Sequence, residues 1–374
     1  MKRNPHLDIY LEKIKINTEN IKNLCQKHGI EVVGITKGCC AIPEVGQAII
    51  EGGIKILGDS RIENLKRLKK NGLKAETMLI RIPMLSEVDR VIDWADISLN
   101  SEISVINLLS QAALKKKTVH RIILMIDLGD LREGIMPDNT LEMMGEIRKL
   151  SGVKLIGLGA NFCCVSGVMP TRENLNKLVR LTEEIERNFQ INLEVISGGD
   201  TSVLKLVEDN IIPERINQLR VGVGILLGQD DVRLRNIAGT FQDTFILTGE
   251  VIEIKDKPSL PQGEIGLDAF GEIPVLQDLG IRKRAILALG KQDVHLGSLI
   301  PLKERIKIIG ASSDHLIIDV TDFEENIKVG DEVRFRLNYP ALLSTTTSKY
   351  IKKYFYRKGK NNGYKYERKE FNIY

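Results

Sequence analysis

No run of apolar residues in the chain approaches the roughly 20 needed to cross a bilayer, so a membrane-spanning helix is not expected. Cysteine is scarce and unpatterned: there are five, an odd number, in the contexts LC, CC and CC, with no C-x-x-C pair. Disulfide frameworks and zinc knuckles both need cysteines in spaced pairs. Neither is expected, no metal is assigned, and a reducing cytoplasm is the natural setting. The first residues, MKRNPHLDIYLEK, carry charge but lack the apolar core of a secretory signal. The body also lacks strong charge of one sign. The chain's net charge is +4, but from Lys349 onward nine Lys/Arg face two Glu, which leaves −3 for all the residues before. The body is mildly acidic and only the tail is basic.

What is present is a soluble composition, 43% apolar and 28% charged, over 374 residues, a length that suits about two domains. Eight short β-branched runs alternate with segments of helical period. They are EVVGITK (31–37), IKILGDS (54–60), ETMLIRI (76–82), DISLNS (96–101), RIILMIDLG (121–129), VKLIGLGANF (153–162), LEVISGGD (193–200) and LRVGVGILLG (219–228). Between them lie helix signals: Pro43 opens a segment that stops at Gly52, and Ile62, Leu65 and Leu68 recur at helical spacing before an Asn-Gly stop. Eight βα units in about 200 residues predict a (β/α)8 TIM barrel, with a doubly wound open sheet as the alternative. After about Arg235 the pattern becomes alternating strands with turn residues between them, which predicts an all-β domain. The expected boundaries are 1–235 for the barrel and 236–374 for the β-domain.

In a (β/α)8 barrel the chemistry sits at the C-terminal ends of the strands, with a phosphate often held after strands seven and eight. Strand seven ends in SGGDTS, where Ser197, Gly198 and Thr201 offer hydroxyls and exposed backbone, and strand eight carries RVGVG, with Arg220, Gly222 and Val223. Together these loops read as a phosphate cradle. Barrel closure puts strand one beside strand eight, so Lys37, the last residue of an otherwise apolar run, is expected in the mouth near Arg220. A lysine amine beside a phosphate site is the arrangement a Schiff base to pyridoxal phosphate uses. Arg220 facing the pyridine nitrogen would keep that nitrogen unprotonated, since arginine does not release its proton. The alternative for Arg220 is a structural pairing with a barrel carboxylate, Asp59 or Asp127.

With TK ending strand one, DLGDLREG after strand five, GLGANF at strand six, SGGDTS at seven and LRVGVGILLG at eight, the chain resembles the alanine racemase family of pyridoxal phosphate enzymes. The segments GDSRIENLKRL, GASSDHLIIDVTD and RLNYPALLS bring it nearest to the ornithine racemase branch. The resemblance covers nearly the whole chain. It implies an amino-acid racemase of ornithine or a related basic amino acid; an alanine or broad-specificity racemase and a non-catalytic cofactor carrier are the alternatives. It implies that Lys37 holds the cofactor and serves as a racemising base, that Arg220 faces the ring nitrogen, and that Arg132 lies near the cofactor oxygen and the substrate carboxylate. Asn161 would stand where alanine racemases carry a ring-stacking histidine, and Ser197, Thr201, Gly222 and Val223 would surround the phosphate. It further implies a homodimer with shared active sites and a segment near residues 7–13 that pairs with the C-terminal domain.

Three departures stand out. LGKQDV replaces the motif that carries the family's catalytic tyrosine, so Lys291, Asp293, His295 and Asp314 are the candidates for the second base. Val223 stands where ornithine racemase relatives tend to carry glutamate, and KGCC puts Cys39 and Cys40 at the mouth, together with Cys163 and Cys164, where alanine racemases have an aromatic. A basic substrate needs anionic groups, for which Asp127, Asp130, Glu133 and Asp314 are the candidates. The tail from Lys349 interleaves eight Tyr/Phe with its positive charges. That mix can bind single-stranded nucleic acid, but near-alternation on both sides of an Asn-Gly favours a β-hairpin added to the second domain.

Overall fold

The structure, a computed structural model, describes residues 4–273, 275, 277–358 and 364–367. Eight parallel strands, Glu31–Ile35, Ile56–Asp59, Glu76–Leu79, Ile97–Asn100, His120–Met125, Val153–Gly159, Val195–Ser197 and Gln218–Val221, close into a barrel. These are the eight runs read from the sequence, and closure removes the open-sheet alternative. The ring closes where the first strand pairs with the eighth, placing Val32 beside Leu219 and Val33 beside Arg220.

Side chains of a strand alternate between its faces. Val33, Ile35, Ile56, Met78, Ile97, Leu99, Ile123, Met125 and Ile156 form one buried cluster, the barrel's filling. The helices cover the other face for reasons visible in their sequences. Pro43–Glu51 begins with proline, whose missing N–H costs nothing in a first turn, and is capped by Gly52. Ile62–Lys70 buries Ile62, Leu65 and Leu68, carries three basic residues in its last turn and ends before Gly72, at φ 76°.

The barrel unit runs from Leu11 to Phe241; the other unit joins the segment ending at Tyr10 to the residues from Gln242 onward. In that second unit the strand His6–Tyr10 lies between Phe245–Pro258, antiparallel to it, and Lys352–Lys358, parallel to it. From Leu11 the chain is helical. The basic aromatic tail supplies Lys352–Lys358 and Tyr364–Glu367, paired antiparallel with Tyr356 opposite Tyr366. The Asn361-Asn362-Gly363 turn lies outside the described residues. One helix, Tyr339–Thr347, interrupts the all-β pattern: Pro340 suits its first turn, and Ala341, Leu342, Thr345 and Thr346 are buried along it. No helix among the described residues is long and apolar enough to cross a membrane.

His120, 4% exposed at the start of barrel strand five, shares a hydrogen bond of 2.8 Å with Ser98 Oγ. Burial, with the charge of Arg121 adding to it, lowers its pKa to about 4. A base whose folded pKa lies below its unfolded value binds fewer protons when folded. Its contribution is therefore intact above pH about 6.5 and is lost as pH falls toward 4. Between pH 7 and pH 5 this one residue should cost about 2 kcal/mol of stability. Urea unfolding at the two pH values should show that loss, and His120→Gln should remove most of it; equal losses in both proteins would assign the titration elsewhere.

Candidate active site

The first barrel strand ends at Ile35, and Thr36 anchors its exit: the hydroxyl donates to Asp59 Oδ2 at 2.8 Å, and the backbone N–H donates to the Gly58 carbonyl at 2.9 Å. Lys37 then opens a single 3-10 turn, Lys37–Cys39, which closes through Cys40 and Ala41, both at positive φ (52° and 47°). Lys37 is half-buried at this strand end. Its charge acts on Asp59 behind it and on Glu133 across the barrel face, where Arg132 and Arg220 act too.

Arg220, fixed beside Val33 by the closure register, enters the same space and is 4% exposed. A Cβ on Gly159 would stand 2.9 Å from Met125 Sδ, so the glycine makes room for the barrel filling beneath the guanidinium. Nη2 donates to the Ala160 carbonyl and to Asn161 Oδ1, both at 2.6 Å; Nη1 donates to Ser197 Oγ and, at 3.4 Å, to the Ser197 carbonyl. None of these acceptors is charged. Neither carboxylate weighed as its partner reaches it: Asp59 accepts from Thr36, Asn64 and the Arg61 N–H, and Asp127 accepts from the N–H groups of Gly129 and Leu131. Burial pushes the Arg220 pKa down to about 10, so it remains protonated at neutral pH.

From Arg220 the hydrogen bonds continue outward. Asn161 Nδ2 donates to Glu133 Oε1 at 2.5 Å, and Glu133 Oε2 pairs with Arg132 Nε at 2.5 Å. Burial raises the Glu133 pKa, and the surrounding cations, Arg132 first, oppose the rise. Arg132 is partly exposed. Among the described residues its two Nη groups have no partner, which leaves the fork open for a carboxylate.

At the ends of strands seven and eight, Thr201 Oγ1 accepts the Gly224 N–H at 3.2 Å and joins the two glycine-bearing loops. Gly222 precedes the short helix Val223–Leu227, and a Cβ there would stand 3.3 Å from that of Ile35. Two residues expected at the phosphate have other partners. Ser197 is fully buried, its hydroxyl donating to Gln218 Oε1 at 3.0 Å while accepting from Arg220, and Gly198 N–H donates to the Gln218 carbonyl at 2.9 Å. Both lie against strand eight and support Arg220.

The remaining sequence candidates scatter. Asp127 and Asp130 are buried, and their carboxylates accept backbone N–H groups, those of Cys164 and Val165 in the case of Asp130. They organise loops and are not open to a substrate cation. Cys39 is fully buried, its thiol on the Thr36 carbonyl, so it does not line the mouth; Cys164 is exposed and burial of its sulfur raises its pKa to about 11. In the second unit, Lys291 pairs with Asp268 and Glu272 and lies 3.8 Å from the centre of the Phe270 ring. Asp293 is buried and accepts from Ser348 Oγ at 2.9 Å, His295 shares a bond with Ser298, and Asp314 accepts from the Gln292 amide. Among the described residues no cluster of His, Cys, Asp and Glu could hold a metal.

A closed parallel barrel with an amine and a buried guanidinium at the C-terminal ends of its strands, continued by an antiparallel β unit, defines a fold class with an amine-bearing site. The family model described as alanine racemase, N-terminal domain, matches residues 9–230, and the chain belongs to that family. It is similar to the ornithine racemase of Acetoanaerobium sticklandii, 44% identical over 350 residues that span 93% of this chain and 99% of that one. It is similar too to the lysine racemase of Thermotoga maritima, 42% identical across 94% and 98% of the two chains. Among solved structures, the alanine racemase of Clostridium difficile 630 superposes with a TM-score of 0.72 at 17% identity, covering 97% of this chain and 98% of that one.

Because Asp130 fixes the loop after strand six through two backbone N–H groups, Asp130→Ala should leave buried donors unpaired. We expect a loss of about 1–3 kcal/mol in urea unfolding and faster proteolysis within residues 163–166. Unchanged protection of that loop would show that the carboxylate does not hold it.

Proposed function

We propose that the chain is a pyridoxal phosphate-dependent racemase of a basic amino acid, with ornithine the first substrate to test. The observation that carries the reading is a buried arginine held by neutral acceptors whose charge, together with that of Lys37, acts on the same carboxylate, Glu133, at the end of a barrel where the chemistry of this fold resides. The basic substrate is supported by the two full-length relatives described above, one named for ornithine and one for lysine.

The donor set fits the cofactor. Lys37 would supply the amine for its aldehyde, Arg220 would offer a cation to its ring nitrogen, and Thr201, Gly222 and Val223 would lie around its phosphate. Thr201 accepts from Gly224 and donates to no atom among the described residues, so its O–H is available to an anion. Bound there, pyridoxal phosphate supplies an electron sink that lowers the cost of taking a proton from the α-carbon of an amino acid.

The chain's own residues do the rest. Arg220 stays protonated and only donates, so it leaves no proton on the atom it faces. Lys37, at the rim of an apolar barrel, carries the α-proton on one face of the substrate. Arg132 presents its open Nη groups to the substrate carboxylate and orients it. Racemisation requires a second proton carrier on the opposite face, for which Lys291, Asp293, His295 and Asp314 are the candidates, each with a partner of its own among the described residues. We further propose that the enzyme works as a homodimer in a reducing cytoplasm, in keeping with five cysteines that are all free thiols. Light scattering checks the first of these.

Incubation with L-ornithine in D2O should produce α-deuterium exchange and loss of optical rotation. No exchange and no change of rotation with ornithine, lysine or alanine would reject the proposal. Lys37→Ala should lower racemisation by roughly 10³-fold or more and abolish the visible absorbance of the added cofactor; retained activity would remove Lys37 from its role.

A further inference from the structure

We propose that Glu133 is a positioning residue that sets the direction of a chain made of one ion pair and two hydrogen bonds, Arg132–Glu133–Asn161–Arg220, and thereby keeps an acceptor on the buried guanidinium. The inference rests on the reading of Arg220 as the group that faces the cofactor ring, and adds to it a residue outside the expected cofactor set.

The direction follows from what each group can do. Arginine has only donors, an ionised carboxylate has only acceptors, and a primary amide has one of each. Asn161 stands between Arg220 and Glu133, so its oxygen must face the guanidinium, at 2.6 Å, and its nitrogen the carboxylate, at 2.5 Å. The other carboxylate oxygen takes Arg132 Nε at 2.5 Å. Glu133 thus accepts from Asn161 with one oxygen and forms an ion pair with Arg132 through the other. Remove that acceptor and Asn161 is free to flip, which would turn an N–H2 group toward Arg220. The amide also keeps the negative charge one residue away from the guanidinium, where a direct ion pair would neutralise it.

The backbone holds Glu133 in register. Its neighbour Gly134, at φ 138°, would place a Cβ 2.5 Å from the Asp127 nitrogen. Only glycine lets the loop return to its own strand, where Asp127 N–H donates to the Ile135 carbonyl and Ile135 N–H to that of Met125, both at 2.9 Å. Glu133 is therefore carried two residues from a pinned point and is no loosely tethered loop carboxylate.

The test exploits polarity. Glu133→Gln has nearly the same shape but one donor, so it can satisfy Asn161 or Arg132 and not both. Asn161→Asp alone sets two carboxylates against each other. In the double variant the polarity is restored: the new amide at position 133 accepts from Arg132 and donates to the new carboxylate at position 161, which accepts from Arg220. Each single change should weaken pyridoxal phosphate binding by about tenfold or more, read by absorbance titration, and the double variant should recover to within about threefold of the starting protein. The melting temperatures of the cofactor-free proteins should follow the same order. Additive losses in the double variant, in both measurements, would overturn the proposal. If the starting protein bound no pyridoxal phosphate, the functional reading would fall, while the melting temperatures alone would still decide whether the chain exists.

Discussion

The arrangement depends on a single constraint: a guanidinium sits almost out of water, and every group around it must accept. Burying an unpaired cation is costly, yet Arg220 has no carboxylate in contact; it is held by a serine hydroxyl, two carbonyls and an amide oxygen. A carboxylate would have been the simpler partner for stability. Neutral acceptors satisfy the donors, while the carboxylates that act on the charge, Asp200 first and then Glu133, do so without contact. Two local features accompany this: Ser197 and Gly198 lean on Gln218, and the Asn161 amide nitrogen is engaged by Glu133.

The acidic residues of the barrel face divide accordingly. Asp59, Asp127 and Asp130 are all buried, and each accepts at least one backbone N–H at the exit of a strand. Carboxylates that accept backbone N–H groups hold loop geometry, because the fixed amides favour the charged oxygen. Glu133 differs in being engaged by side chains and, among the described residues, by no backbone N–H of another residue: Asn161 donates to it, Arg132 pairs with it, and the charges of Lys37 and Arg220 act on it too. Three cations act on Glu133 and Asp200 acts on Arg220, which leaves positive charge in excess and suits the face to anionic ligands, the phosphate and carboxylate that the proposed reaction brings.

Much of this was legible before any coordinate. The eight strands could be read because a covered parallel strand is a short β-branched run, and because Pro43, Gly52 and the Asn71-Gly72 pair mark where helices start and stop. Lys37 and Arg220 could be placed together because a closed ring makes its first and last strands neighbours. The roles of Ser197 and Gly198 were not legible: a hydroxyl beside two glycines looks the same whether it faces an anion or a guanidinium, and only the register to Gln218 separates the cases. Asp127 and Asp130 stood as candidates for the substrate's anionic partners, since nothing in a sequence tells which loop amides will turn inward to meet a carboxylate. The Glu133–Asn161 contact joins residues 28 apart on two strand ends, and its only trace was a glycine directly after the glutamate.

The charge of this face also bears on how a basic amino acid would be recognised. A second ammonium on the substrate would be repelled by Lys37, Arg132 and Arg220, and Glu133 among them is already engaged by Asn161 and Arg132. The substrate carboxylate is drawn to the same face. In the proposed reaction a diamino acid would therefore bind with its two ends apart, the carboxylate and α-carbon at the cationic barrel face and the distal ammonium directed away from it. Selection among ornithine, lysine and alanine then rests on groups other than Asp127 and Asp130, and the barrel face can remain alike in racemases of different substrates while the chemistry it supports stays the same.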